Sequence, residues 1–338
     1  MRLRRSNPNR PGIRRVKRGR GFSYVSGTGD RVSDDETLER IRALVIPPAW
    51  RDVWICPHAN GHIQAVGVDA AGRRQYLYHE RWREERDEEK FDRVLELAAE
   101  LPGVRQRIRE DLRRTGLDRR RVTAVALGLV DRGVFRVGGE EYAQENGTRG
   151  VATLLREQVR LSGDEMLFDY PAKGGIQRRV RVADPDLAKT IRSLRRCRAD
   201  SQRLLVYRQG TRYCELHAED VNERFRELAG CECSAKDLRT WHATVLAAAG
   251  FAAAGRPDSQ RGRKAVERAV IADVAAALGN TPAVARASYI DPRVLEAYEQ
   301  GATIEAALRK AGAAASDQES QQIVERAVVR LLRGVRRS

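Results

Sequence analysis

The sequence contains little lysine for so basic a chain. Of its 63 basic residues only seven are lysines, and the other 56 are arginines. A lysine ammonium is compact and its pKa can shift, whereas a guanidinium stays charged at any physiological pH. A lysine kept in an arginine-rich chain therefore indicates a position where the ammonium has a chemical task. The seven are Lys17, Lys90, Lys173, Lys189, Lys236, Lys264 and Lys310.

Long apolar runs are absent as well. No run reaches the roughly 18 residues that a membrane-spanning helix needs. The basic N-terminus has no apolar segment behind it, which argues against a secretory signal. We therefore expect a cytoplasmic protein with no membrane contact.

Paired cysteines at metal-binding spacing are also lacking. Cys56 stands near His58 and His62 in the manner of zinc ligands, but no second cysteine pair follows at finger spacing. We favour a structural strand and turn there, and we expect neither a metal nor any other cofactor. The cysteines are an odd number in a cytosolic-looking chain, which favours reduced thiols. The five are Cys56, Cys197, Cys214, Cys231 and Cys233.

Positive charge is what the sequence does contain in excess. The formal net charge is +16 and the isoelectric point is near 10.2, although 47 residues are acidic. A bias of this size over a charged surface indicates a polyanionic partner. The 338 residues leave room for two or three domains with ample core.

The first 80 residues divide into a basic arm and a β-rich segment. Residues 1–20 carry nine basic side chains and no acid, so we expect a disordered arm that binds phosphate without reading sequence. Residues 21–80 show strand patterns separated by Gly and Asn turns, with one helix predicted from Asp34 to Leu44. This segment predicts a small β-rich domain.

The remainder of the chain is mainly helical. Residues 81–95 are nearly all charged and predict a helical connector. Residues 96–310 predict a helical domain that includes a strand near 151–155 and a β-hairpin with its tip at 171–175. Residues 311–338 predict a charged C-terminal helix. The predicted fold class is α+β, a small β-rich N-terminal domain followed by a mainly α-helical domain with a short hairpin sheet.

A short helix should place Tyr289 at a defined position. Thr281 is a suitable N-cap, Pro282 fits the first helical position, and Pro292 prevents the helix from continuing. About forty residues earlier, Lys236 opens a second helix, and Arg239 lies on the same face three residues later. A tyrosine and two cations suggest phosphate chemistry, whereas the structural alternative is a packing tyrosine and a solvated basic face.

The last predicted strand of the β-rich segment carries polar and aromatic side chains. Tyr76 and Tyr78 share one face, and Gln75 points to the other. These residues are either ordinary strand aromatics or a surface presented to a DNA groove. The pattern alone leaves both readings open.

Several motifs occur in an order that is typical of one family. Arg136 precedes the small-residue turn Gly138-Gly139, Lys173 lies at a hairpin tip, and Tyr289 follows the K-x-x-R pair. Upstream, the segments 46–50 and 69–78 fit the same pattern. From about residue 22 to 300 the chain resembles type IB DNA topoisomerases of the small bacterial and poxvirus kind.

The resemblance implies an enzyme that nicks one strand of duplex DNA without ATP or metal. Tyr289 would attack the phosphodiester to form a 3′-phosphotyrosyl intermediate, supercoils would relax by swivelling, and the strand would be resealed. Arg136 and Arg239 would bind the non-bridging oxygens, and Lys173 would protonate the leaving 5′ oxygen. Lys236 would assist proton transfer or hold phosphate.

Other assignments follow from the same resemblance. The family commonly has histidine nine residues before the tyrosine, where this chain has Asn280. An amide can donate a hydrogen bond but carries no charge, so Asn280 is expected to act as a neutral donor; alternatively it only precedes the cap at Thr281. Tyr142 would contact a backbone phosphate, and Gln75, Tyr76 and Tyr78 would contact bases or phosphates. We expect a monomeric clamp on double-stranded DNA in the bacterial nucleoid.

Two alternatives compete with this interpretation. A tyrosine recombinase would share the helical domain and the nucleophile, but recombinases usually have histidine where Lys236 stands and lack the β-rich domain. The other alternative is a non-enzymatic basic DNA-binding protein in which Tyr289 only packs. The sequence leaves open the preferred cleavage site and the task of the tail beyond about Gln300.

Overall fold

The chain forms two compact units in a computed structural model that describes residues 2–140, 143 and 147–335. The first unit is Met1–Lys90 and the second is Phe91–Ser338. The boundary falls inside one long helix. The predicted α+β class is confirmed, because a strand-rich unit precedes a mainly helical one. The expected closure of the two units as a clamp stays a prediction.

The first unit is a five-stranded antiparallel sheet with one helix. Its strands follow the order β2-β1-β3-β4-β5. Helix α1 starts after Asp34, whose side chain accepts a hydrogen bond from the backbone N of Thr37. The core contains Ile13, Ile41 and Ile55. The elements are β1 Ile13–Arg18, β2 Gly21–Val25, α1 Asp35–Ala43, β3 Arg51–Ile55, β4 Ile63–Val68 and β5 Arg74–Tyr78.

The prediction of a disordered arm over residues 1–20 is wrong. β1 lies within that range and pairs with both β2 and β3. Ile13 is buried in the core, and Arg15 donates hydrogen bonds to the carbonyl oxygens of Pro47 and Trp50 at 3.1 and 2.7 Å. The many arginines made this segment look disordered, but the guanidinium of Arg15 binds loop carbonyls instead of facing solvent.

One helix, α2 Glu80–Leu112, covers the predicted connector and continues past Pro102. Proline usually breaks a helix, because it lacks an N–H and its ring clashes with a preceding carbonyl. Here Leu97, Leu101, Val104 and Ile108 are all buried at helical spacing across the proline. Packing against the core therefore holds the helix continuous.

The second unit surrounds a single large core that includes Phe135, Phe168 and Trp241. A three-stranded sheet, β6-β7-β8, contains the predicted hairpin.

Other parts of the second unit differ from the prediction. The strand expected near 151–155 is a 3-10 turn, Val151–Thr153. The β9-β10 hairpin and helices α9 and α10 were not predicted. The elements are α3 Arg119–Val130, β6 Val159–Ser162, β7 Glu165–Pro171, β8 Gln177–Ala183, α4 Pro185–Arg196, β9 Val206–Gln209, β10 Arg212–Glu215, α5 Ala218–Ala229, α6 Ala235–Ala254, α7 Gln260–Leu278, α8 Pro282–Ser288, α9 Pro292–Glu299, α10 Glu305–Gly312 and α11 Asp317–Gly334.

Two further features concern the cysteines and the helices. Cys231 and Cys233 are joined by a disulfide, so the expectation of reduced thiols throughout is wrong for this pair. Two cysteines separated by one residue can be either free or bonded, so the sequence alone did not predict this disulfide. None of the described helices combines the length and the apolar character that a membrane crossing needs.

The C-terminal helix α11 is tied to the core by charge as well as by apolar packing. Arg105 donates two hydrogen bonds to the carboxylate of Asp131 at 2.7 and 3.0 Å, and two to that of Glu325 at 2.6 and 3.0 Å. Val328 and Leu332 are buried nearby in sequence. A guanidinium between two carboxylates thus joins α2, the end of α3 and α11.

Removing one partner from this buried group should destabilise the protein strongly. Glu325→Ala removes the carboxylate that accepts from Nη1 and Nη2 of the buried Arg105. We expect the free energy of unfolding to fall by about 3 kcal/mol. The matched control is Glu305→Ala, because Glu305 pairs with Arg309 on an exposed face and such pairs contribute less than about 1 kcal/mol. Urea unfolding measures both, and equal losses would contradict the prediction.

Candidate active site

A cavity of about 420 Å³ in the second unit is lined by residues from six separate stretches of sequence. Arg136, Lys173, Lys236, Arg239 and Tyr289 all line it. The candidate residues, chosen from motifs spread over more than 150 positions, are therefore neighbours in the fold. All of them belong to the second unit.

Tyr289 is held at the end of α8 by backbone contacts on both sides. The side chain of Thr281 caps the helix, and the backbone N of Tyr289 donates to the carbonyl of Ala285 at 3.0 Å. The Tyr289 carbonyl accepts from the hydroxyl of Thr244 on α6 at 3.3 Å. The side chain is only 7% exposed, so the phenol has a defined position.

Arg239 is the most deeply buried cation of the cavity, at 2% exposed. Its Nη1 donates to the carbonyl of Gly133 at 2.8 Å, and its Nη2 donates to that of Leu278 at 2.9 Å. Its Nε has no hydrogen-bond partner among the described residues. The guanidinium is therefore fixed by carbonyls at one side and keeps a donor for another group. Its carbon Cζ lies 5.6 Å from the centre of the Tyr289 ring.

Position 133, whose carbonyl accepts from Arg239 Nη1, requires glycine. Gly133 has φ +77°, a region that favours glycine, and a Cβ there would lie 2.0 Å from the imidazole of His242. His242 follows Arg239 by three residues and lies on the same side of α6. The turn after α3 thus approaches α6 closely enough for Gly133 to bind Arg239.

The loop that carries Arg136 is fixed by a second close approach. The carbonyl of Arg136 accepts from the backbone N of Val151 at 2.8 Å. Gly138 has φ +84°, and a Cβ there would lie 2.7 Å from the Cα of Gly150. Glycine at both 138 and 150 therefore allows two backbone segments to meet, and this contact directs Arg136 into the cavity.

Asn280 lies beside Arg136 and has a donor to spare. Arg136 Nη2 donates to Asn280 Oδ1 at 2.6 Å. The amide nitrogen Nδ2 of Asn280 is buried and has no hydrogen-bond partner among the described residues. A buried donor without a partner costs about 1–3 kcal/mol. An acceptor atom bound in the cavity would remove that cost.

The two lysines approach the cavity from different elements. Lys173 is exposed on the turn between β7 and β8, where Gly174 and Gly175 have positive φ. Lys236 is exposed in the first turn of α6, whose start is stabilised by Asp237 accepting hydrogen bonds from Ser234. Lys173 thus stands on a hairpin tip and Lys236 on a rigid helix end.

The charges of the cavity act on the acidity of Tyr289. Burial raises the pKa of the phenol, but the charges of Arg239 and Arg136, with a contribution from Lys236, outweigh burial and set the pKa below its ordinary value. Burial and the neighbouring charge of Arg136 lower the pKa of Arg239 to about 10. Arg239 therefore stays charged at neutral pH, in a site that an anion would stabilise.

Two further arginines line a small adjoining pocket together with Arg136 and Lys173, and both were missed from the sequence. Arg178 on β8 donates to the carbonyls of Ala276 and Ala277 at 3.2 and 2.9 Å, and so caps the end of α7 next to Gly279. Arg149 lines the cavity wall. Because arginine is so frequent in the chain, its presence at 178 did not stand out. The only signal was the alternation of side chains along β8, which turns Arg178 to the less exposed face.

The other predicted residues lie elsewhere. Tyr142 falls outside the described residues. Tyr76 and Tyr78 are exposed on one face of β5 with ring centres 6.0 Å apart, and Gln75 donates to Asp69 Oδ2 at 2.9 Å. The predicted facing of β5 is confirmed. Contact of these residues with DNA stays a prediction.

Comparison with known proteins adds independent findings. A family profile described as the catalytic core of eukaryotic DNA topoisomerase I matches residues 79–316, and one described as the N-terminal domain of bacterial DNA topoisomerase IB matches residues 21–69. The chain is 28% identical over 296 residues to DNA topoisomerase 1B of Acanthamoeba polyphaga mimivirus, which covers 85% of this chain and 88% of that protein.

Other similarities are shorter or weaker. DNA topoisomerase 1B of vaccinia virus (strain Copenhagen) is 27% identical over 150 residues, 42% of this chain and 47% of that protein. Among solved structures, XerH site-specific recombinase bound to palindromic difH substrate aligns with a TM-score of 0.36 and 16% identity, over 57% of this chain and 50% of that chain.

Proposed function

The chain belongs to the type IB DNA topoisomerase family, and from that membership we propose how its cavity cleaves and reseals DNA. The protein is a DNA topoisomerase of type IB, and its partner is DNA. We propose that it acts as a monomer on duplex DNA of the bacterial nucleoid, with its two units closing around the duplex. The observation that carries the mechanism is a buried phenol, Tyr289, of lowered pKa among several cations.

Tyr289 is the nucleophile in this mechanism. Its phenolic oxygen forms a bond to the scissile phosphorus while the bond from phosphorus to the 5′ oxygen breaks, which leaves a 3′-phosphotyrosyl ester. The phenolic proton leaves to solvent, because the positive field of Arg239 and Arg136 favours the phenolate. The reverse attack by the 5′-hydroxyl reseals the strand, so no ATP is consumed.

The arginines stabilise the pentavalent transition state. Extra negative charge develops on the non-bridging oxygens, and preformed donors aimed at those oxygens lower the barrier. Arg239 offers its unpartnered Nε, and Arg136 lies beside Asn280. These guanidiniums supply positive charge at the phosphate, so the step as proposed needs no metal ion.

Lys173 is the proposed general acid. The 5′ oxygen is a poor leaving group unless it receives a proton, and an ammonium on a hairpin tip can reach it as the DNA binds. Lys236 lies on a helix end and is proposed to hold phosphate or to assist the proton transfer. Gln75, Tyr76 and Tyr78 are proposed to contact bases or phosphates from the first unit, and Tyr142 to contact a phosphate.

The experiment for this function is relaxation of supercoiled plasmid in EDTA without ATP, followed by denaturing gels that detect protein covalently attached to DNA. We expect relaxed topoisomers and a 3′-linked adduct. Strand exchange between sites would instead identify a recombinase, and a mobility shift without any adduct would identify a non-enzymatic binding protein.

Asn280 is expected to donate a hydrogen bond to a non-bridging oxygen through Nδ2. Asn280→Ala should slow single-turnover cleavage by on the order of 10 to 10³-fold, the scale of losing one such donor, with DNA affinity unchanged. Asn280→His should remain active, with little new pH dependence between about pH 6 and 8, because the role needs only a neutral donor. An alanine variant that cleaves at the normal rate would return Asn280 to a structural role before the cap.

A further inference from the structure

A second basic surface lies outside the active cavity, on the first half of α7. We call Arg261, Lys264 and Arg268 the α7 basic cluster. All three side chains are exposed, and they line a concavity of about 550 Å³ together with Arg286 of α8. The concavity and the active cavity share no lining residue.

The cluster carries unbalanced positive charge. None of its three cations forms an ion pair with a described residue, and Glu267, the one acid among the residues lining the concavity, pairs with Arg286. The concavity therefore keeps three cations without partners in the described chain. A polyanion is the complementary partner.

These charges are unfavourable for the helix itself: Lys264 and Arg268 place like charges at i, i+4, and Arg261 stands in the first turn. Cations near a helix N-terminus meet the positive end of the helix dipole, and acids are preferred there. Helix α7 has no acid in its first turn, whereas α1 begins with Asp35 and Glu36. A gain in helix stability thus does not account for the cluster, but binding an anion would.

The spacing of the cluster fits a phosphate backbone. The three residues recur at i, i+3 and i+7, which places them on one face and spans about 10 Å of helix axis. B-DNA has one phosphate per strand for about every 3.4 Å of its axis, so the row matches about three phosphates. Ala265 and Ala269, which are exposed beside it, add little bulk that would keep a backbone away.

We propose that the α7 basic cluster binds backbone phosphates of the duplex that flanks the cleavage site, without reading bases. Leu278, whose carbonyl holds Arg239, follows Arg268 by ten residues, or about 15 Å of helix. At about 3.4 Å per base pair, for a duplex that runs along α7, the phosphate at Arg268 lies about four to five base pairs from the scissile one, and the phosphate at Arg261 lies about seven to eight. This inference rests on the proposed function only in assigning the scissile phosphate to the active cavity.

The test measures how DNA affinity depends on salt in the Tyr289→Phe background, where no covalent step intervenes. Each phosphate contact contributes about 0.9 to the slope of log affinity against log salt concentration. The triple variant Arg261→Ala, Lys264→Ala, Arg268→Ala should reduce the magnitude of that slope by about 2.7. The double variant Arg261→Lys, Arg268→Lys should keep the slope, because a point charge suffices for a phosphate contact.

The matched control removes the same number of charges from another helix. Arg326, Arg330 and Arg333 are exposed on α11, and replacing all three by alanine should leave the slope unchanged. An unchanged slope in the α7 variant, or an equal reduction in the α11 variant, would overturn the proposal. Thermal melting tests folding, and the α7 variant should melt no lower than the parent, because alanine favours helix, Arg261 opposes the dipole, and Lys264 and Arg268 repel each other at i, i+4.

The outcome is separable from that of the proposed function. With Tyr289 intact and DNA saturating, the α7 triple variant should form the covalent adduct at the parent rate, and a slower rate would place the cluster in the chemical step and contradict the proposal. If the parent formed no adduct, the proposed chemistry would fail, while the salt slopes would still decide whether the cluster binds DNA.

Discussion

Tyr289→Phe is expected to bind duplex DNA with the parent affinity and to form no covalent adduct. The substitution removes only the phenolic oxygen, which is the atom that bonds to phosphorus in the proposed step. The ring remains, so its packing beside Arg239 and the cap of α8 are retained. Adduct formation on a suicide duplex, detected on denaturing gels, measures the loss, and plasmid relaxation should disappear with it.

Tyr170→Phe is the control for this result. Tyr170 is also buried among the charges of Arg136, Arg178 and Arg239, but burial outweighs them and raises the pKa of its phenol. It should therefore stay protonated and unreactive, and the Phe variant should still form the adduct. An SDS-stable adduct in Tyr289→Phe would remove Tyr289 from the nucleophile's role.

Lys173→Ala is expected to slow cleavage of ordinary DNA by roughly 10² to 10⁴-fold, the range for losing a general acid. The same variant should cleave at close to the parent rate when sulfur replaces the 5′ bridging oxygen, because a thiolate leaves without a proton. Single-turnover rates on the two substrates measure the difference. Equal impairment on both would assign Lys173 a purely electrostatic role.

Two further variants sharpen the assignment of the general acid. Lys173→Arg keeps the positive charge, but a guanidinium does not release a proton near neutral pH, so it should be slow on oxygen and fast on sulfur. Lys236→Ala should slow both substrates alike if Lys236 only holds phosphate. Rescue of Lys236→Ala by sulfur would instead place Lys236 in the proton relay.

Local features of the chain were predictable because they depend on neighbouring residues. The cap at Thr281 and the proline at 282 determined the helix that ends at Tyr289, and the glycines after Lys173 determined a hairpin tip. The three-residue spacing of Lys236 and Arg239 needs only helical periodicity. Net charge likewise indicated a polyanionic partner without any knowledge of the fold.

Contacts between distant segments were decided only by tertiary structure. Arg136 meets Asn280 across 144 positions, and Arg239 is buried because the carbonyls of Gly133 and Leu278 converge on it. The lowered pKa of Tyr289 arises from that convergence. Core packing likewise overrides Pro102 inside α2. Motif order and local propensity thus determined which residues to consider. Burial and long-range hydrogen bonds decided how those residues are oriented and charged, and no local pattern in the sequence encodes them.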